Sequence, residues 1–187
     1  MVRSITPTDS SSQGSNSPDP TWSNVIDELN GYISKNKIVD TNAFQTIING
    51  LSSFMINPAQ QAAFQNLKSD FEAYCNHPSI GTKQIKSDIN QLPAPNLTNA
   101  QFMSATNALL AQMYSTVGQG GEINGEQDLL LAIVNSPQLP LSFSQAVCGP
   151  QFQTLLSNYT MAQPSPSQAD QDALQNGIQS LMGLLDS

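Results

Sequence analysis

The stretch GQGGEINGEQD, residues 118–128, sets Glu122, Glu126 and Asp128 among Gly118, Gly120, Gly121 and Gly125. Oxygen donors on alternate positions of a flexible loop are what a hard cation needs, and a glycine-rich turn before a helix is what a phosphate needs. The phosphate option fails, because the loop has no lysine, no strand leads into it, and its carboxylates would repel an anion. For a calcium loop, Glu122, Asn124 and Glu126 have the right alternation. However, Gln127 stands where the turn glycine belongs, and the twelfth position falls on Ile133 instead of a bidentate Glu. A weak calcium site from Glu122, Asn124, Glu126 and Asp128 is the residual option. The structural alternative uses every residue. Gly118 ends a helix in the left-handed region and Gly120-Gly121 makes a turn. Asn124 and Gln127 then form a capping box, with Glu126 and Asp128 at the positive end of the next helix.

Other chemistry-bearing residues are few. His77 is the single histidine and precedes Pro78, where a capping role at a helix end is expected. Cys75 and His77 form a C-x-H pair that only Cys148 could extend toward a zinc site, one ligand short of a closed set. Cys75 falls on an apolar stripe and Cys148 lies four residues before Phe152, so both cysteines read as core positions, with a bridge between them as the alternative. Paired carboxylates for hydrolysis could come from Asp27, Glu28, Asp40, Asp70, Glu72, Asp88, Glu122, Glu126, Asp128, Asp170 and Asp172, but spacing singles out no pair. No catalytic residue, metal ligand or cofactor site is assigned, and no cofactor is expected.

The elements that must position these residues read as helices. Trp22, Val25, Ile26, Leu29 and Ile33 follow a helical period, opened by Asp19-Pro20. Phe44, Ile47, Ile48, Leu51 and Met55 make a second stripe after Asp40 or Thr41. Phe64, Leu67, Phe71, Tyr74 and Cys75 make a third after Asn57-Pro58. Shorter or longer helices are expected at about 82–92, from Phe102 to Gly118, at 125–135, at 143–161 with a break or kink at Gly149-Pro150, and at 167–185. Leu129, Leu130, Leu131, Ile133 and Val134 are apolar nearly all round, which predicts a central buried helix. The fold class is therefore all-α, a compact bundle of six to eight helices over residues 20–187, with a sub-boundary at Pro93-Ala94-Pro95. A similarity between FQTIINGLSSFMINPAQQAAFQN from Phe44 and FQTLLSNYTMAQPSPSQADQDALQN from Phe152 raises the option of two related helical halves. Residues 1–19, rich in Ser, Thr, Pro and Asp, read as a disordered tail whose removal should leave thermal stability unchanged.

Composition limits function. Only 11% of the 187 residues are charged, whereas 20 Gln, 17 Asn, 23 Ser and 11 Thr make up more than a third of the chain. The net charge is -8, and no Lys or Arg follows Lys86. That balance argues against nucleic acid and against an anionic membrane surface, and it leaves an acidic face suited to a basic partner. No apolar run is long enough to span a membrane. The expectation is a non-enzymatic helical protein–protein interaction module, exported or delivered into a host in the manner of a secreted effector, with a cytoplasmic location as the alternative. Rival readings are a self-assembling filament or coat subunit, a ligand-binding or hydrolytic domain with a carboxylate-lined cleft, and a cytoplasmic chaperone or adaptor.

Overall fold

A computed structural model describes residues 20–187; the tail expected over residues 1–19, and Asp19 as a cap, lie outside them. Nine α-helices follow in order: α1 Pro20–Gly31, α2 Thr41–Leu51, α3 Pro58–Asn76, α4 Lys83–Gln91, α5 Asn99–Gly118, α6 Asn124–Ile133, α7 Leu141–Cys148, α8 Pro150–Met161 and α9 Gln168–Leu185. The fold is all-α. The ninth helix arises because Gly149-Pro150 is a complete break: Gly149 is extended, and Pro150 opens α8 at a position where its missing N–H costs nothing.

Local chemistry explains most boundaries. Asp40 caps α2 by accepting from the Ala43 N–H (2.9 Å), Asn57 caps α3 by accepting from the Gln60 N–H (3.0 Å), and Ser167 caps α9 by accepting from the Asp170 N–H (3.1 Å). A capping box does exist, but it is at α5, where Thr98 and Gln101 exchange hydrogen bonds. The expected box at Asn124 and Gln127 is absent: α6 begins one residue earlier than that box requires, with Ile123 before it and no side-chain cap. The left-handed residue after α5 is Gly120 (φ 70°), two positions beyond Gly118, because the helix tightens through a last turn before the chain reverses.

One element escaped the helical reading. β1 (Ile33–Ser34) and β2 (Lys37–Ile38) pair antiparallel, Ile33 opposite Ile38 and Ser34 opposite Lys37. The two-residue turn between them, Lys35 and Asn36, has φ of 48° and 63°, the twist that a tight hairpin demands. Asn36 holds this strained position because its Oδ1 accepts from the Thr82 N–H at 2.9 Å, and the Tyr74 hydroxyl accepts from the Ile38 N–H at 3.1 Å. The hairpin is thus pinned to the start of α4 and to α3.

α6 lies between α1 and α2, while α5 carries α6 on one side and α9 on another; α3 packs on α4, and α7, α8 and α9 pack together. One hydrophobic cluster runs through all of this, from Trp22 to Leu185, including both sides of Pro93–Pro95. The two stretches that share the F-Q-T opening pack differently. α8 and α9 pack on each other, whereas α2 packs chiefly on α6 and α3 chiefly on α4, α2 and α3 meeting where the Phe44 and Phe71 rings lie 4.9 Å apart, tilted by 47°. α6 is central, as its composition implies, although Leu131 is 40% exposed. Gly125 is what lets it approach α2: a Cβ there would sit 2.3 Å from the Ala43 carbonyl oxygen.

Candidate functional site

The C-terminal three helices build the most developed surface feature. Phe143 and Val147 of α7, Phe152, Leu156 and Tyr159 of α8, and Leu174, Ile178, Leu181 and Leu185 of α9 bury their side chains in the common core. The Gly149-Pro150 corner turns α8 away from α7, and Gln153 Nε2 fixes the angle by donating to the Val147 carbonyl at 2.8 Å. Between the outer faces of the three helices lies an open groove of about 610 Å³, with Phe152 and Leu181 in its floor and Ala146, Leu155, Ala173 and Gly177 along its walls. No ionisable side chain lines it; its polar groups are amides and one hydroxyl, such as Gln145, Asn176 and Ser180. Asp172, exposed, precedes Ala173 at its edge. The sequence carried one signal for this groove, the small residues Ala173 and Gly177 one helical turn apart, which spacing arguments aimed at carboxylates passed over.

The residues first considered for chemistry are dispersed. Glu122 and Asn124 are exposed, Glu126 is buried, and Asp128 accepts a hydrogen bond from the Tyr32 hydroxyl, so the four do not surround one ion. Cys75 and Cys148 are both free and exposed, contrary to their expected core positions. The buried stripe of α3 runs through Phe64, Leu67, Phe71 and Tyr74, and Cys75 falls just outside it; Cys148 closes α7 at the exposed corner. His77 stands at the C-terminal end of α3, where its backbone N–H donates to Ala73. Among the described residues, no group of three or more His, Cys, Asp or Glu side chains converges as a metal site would require.

Three acidic sites do emerge. Glu126 is fully buried; its Oε1 accepts from Thr116 Oγ1 at 2.7 Å, its Oε2 has no partner, and burial raises its pKa. Glu28 is raised by burial and then by the neighbouring Asp128 carboxylate, and Tyr32, which donates to Asp128, is raised by burial and by that same bond. Asp88 is 7% exposed and has Asp70 within hydrogen-bonding reach; burial, and then Asp70, push it up to about 6. Each site was on the initial set of carboxylates, but which acids meet depends on contacts between α1 and α6 or between α3 and α4, and no local spacing encodes these.

Comparison of the chain with protein-family models, with curated proteins and with solved structures finds no match.

Proposed function

We infer that this protein is a non-enzymatic interaction module that receives an amphipathic helix of a protein partner in the α7–α9 groove and acts after export from the cell that makes it. The observation that carries this reading is the groove itself: about 610 Å³, apolar in its floor and free of ionisable side chains. An apolar helical face can enter such a groove without desolvating a charge, and helix-in-groove recognition relies on a few buried anchors of this kind. The flanks of the partner should be basic. The chain from α7 onward holds Asp170, Asp172 and Asp186 and no Lys or Arg, so the helices that form the groove offer a cation attraction and no competing like charge. Export rests on composition, namely the low charge and the amide-rich sequence.

Titration with synthetic amphipathic helices of equal apolar face and cationic, neutral or anionic flanks tests the reading. The cationic peptide should bind best, and its advantage should disappear near 1 M salt, where screening acts within about 3 Å. Ala173→Arg, on the groove wall, should weaken binding about tenfold or more, roughly 1.4 kcal/mol, with the melting temperature unchanged. Equal binding by wild type and A173R would remove the groove from the mechanism. Concentration-dependent self-association in sedimentation, abolished by A173R, would assign the groove to a second copy of the chain and favour a self-assembling subunit.

A further inference from the structure

α4 is held between two neighbours by polar contacts of different kinds. On the α1 side, Asn30 Nδ2 donates to Asn90 Oδ1 at 3.0 Å, a neutral amide pair. On the α3 side, Asp88 faces Asp70, two carboxyl groups without a cation between them. Gln84, one turn earlier on α4, donates its Nε2 to Asp88 Oδ1 at 3.1 Å, which leaves Asp88 Oδ2 buried and unpartnered. Two ionised carboxylates offer only acceptors to each other, and a proton held between the two groups supplies the donor that they lack.

We propose that Asp70 and Asp88 are a proton-sharing pair that clamps α4 onto α3, closed when one proton is held between them and loosened when both are ionised. The charged groups around the pair leave it uncompensated. Lys83 and Lys86 on α4 are exposed, Lys68 lies over the Phe64 ring, and on α1 Glu28 interacts with Asp128. Among the described residues, Asp70 is the charged group that acts on Asp88. The sign follows from linkage. A carboxyl raised from 3.8 to about 6 on folding binds its proton more tightly in the folded state, so acidification through that window favours the closed clamp and rising pH opens it. The C-terminal end of α4 is wired to a natural reporter, because the indole N–H of Trp22, the single tryptophan, donates to the Leu92 carbonyl at 3.3 Å directly after α4.

The test is a pH titration of Trp22 fluorescence on the full chain. Wild type should show a transition with a midpoint near pH 6; Asp88→Asn, in which the side-chain amide donates permanently to Asp70, should abolish it and retain the acid-form spectrum at pH 7.5. His77→Gln should leave the transition in place, and so should Glu28→Gln, which removes the other carboxyl pair next to α1. A midpoint that moves in H77Q or E28Q but not in D88N overturns the proposal. Carbon-13 NMR of the wild-type aspartate carboxyls gives a result independent of any variant: one aspartate titrating near 6 is expected, and every aspartate titrating near its ordinary value overturns the clamp.

Discussion

Glu126 shows how one residue can satisfy a sequence rule and still carry an unexpected burden. As a first-turn acid of α6 it lies where the helix dipole favours negative charge, which is visible from spacing alone. Its complete burial is not visible, because it depends on Gly125 letting α6 press against α2 and on Thr116 reaching across from α5. The carboxylate keeps one hydrogen bond and leaves the other oxygen bare, a deficit that costs about 1–3 kcal/mol for a buried polar group. Glu126→Gln preserves the acceptor for Thr116 and removes the charge. Urea unfolding at pH 7.5 should show E126Q more stable than wild type, because burial opposes the charge, with the gain shrinking as pH falls and wild-type Glu126 takes up its proton. A loss of stability at pH 7.5 would mean that the ionised form is the one the core accommodates. The cysteines are a reverse case: their apolar character placed them in the core, yet Cys75 lies just beyond the edge of a stripe that Tyr74 already completes.

At the scale of elements, the abundant amides prove to be more than solvated cover. Gln112 of α5 donates to the Thr46 carbonyl of α2 at 3.2 Å and Gln175 of α9 to the Tyr114 carbonyl of α5 at 3.1 Å, while Gln60 donates to the Ala94 carbonyl at 2.8 Å and Gln138 to the Leu97 carbonyl at 2.6 Å, both in the loop before α5, where no helical N–H serves them. Glutamine suits this work because its reach spans the gap between helices without placing a charge in it. The loop after α5 has two such ties on one atom: the Gly121 carbonyl accepts from the Tyr159 hydroxyl at 2.5 Å and from Gln163 Nε2 at 3.2 Å. Tyr159→Phe alone should therefore cost only about 1 kcal/mol, since Gln163 continues to satisfy the carbonyl, whereas Y159F combined with Gln163→Ala should cost more than the sum of the two. A double-mutant cycle by chemical denaturation measures the difference; strict additivity would mean that water takes over from either donor. Helix positions could be read from the sequence because stripes and caps are local. The hairpin at Ile33–Ile38 could not, since its two-residue strands are too short to alternate and its stability comes from Thr82 and Tyr74, far along the chain.

For the molecule as a whole, the direction of the acidic shifts agrees at every site. Glu28, Asp88 and Glu126 all have raised pKa values, and the net charge is already -8. The folded chain then holds more protons than the unfolded chain above their ordinary values and up to about 6, where Asp88 titrates. Stability should fall as pH rises across that interval, and denaturation midpoints in urea at a series of pH values from about 4 to 8 should decline toward the neutral side. A maximum at pH 7 or above would contradict the assignment of these carboxyls as uncompensated. The overall class, an all-α bundle with α6 at its centre, was readable in advance because hydrophobic period and burial are coupled in helices. The groove was not, because a surface left over between three helices is set by their crossing angles. No described helix is long and apolar enough to cross a membrane. One consequence of the two exposed thiols remains. Cys75 lies in the last turn of α3, the helix that carries Asp70, and Cys148 adjoins Gly149, which lines the groove, so the native chain offers two attachment points for nitroxide labels without a single substitution. Pulsed dipolar spectroscopy between them would convert acidification and peptide addition into changes of one distance distribution, and would reveal whether the clamp and the groove respond to each other.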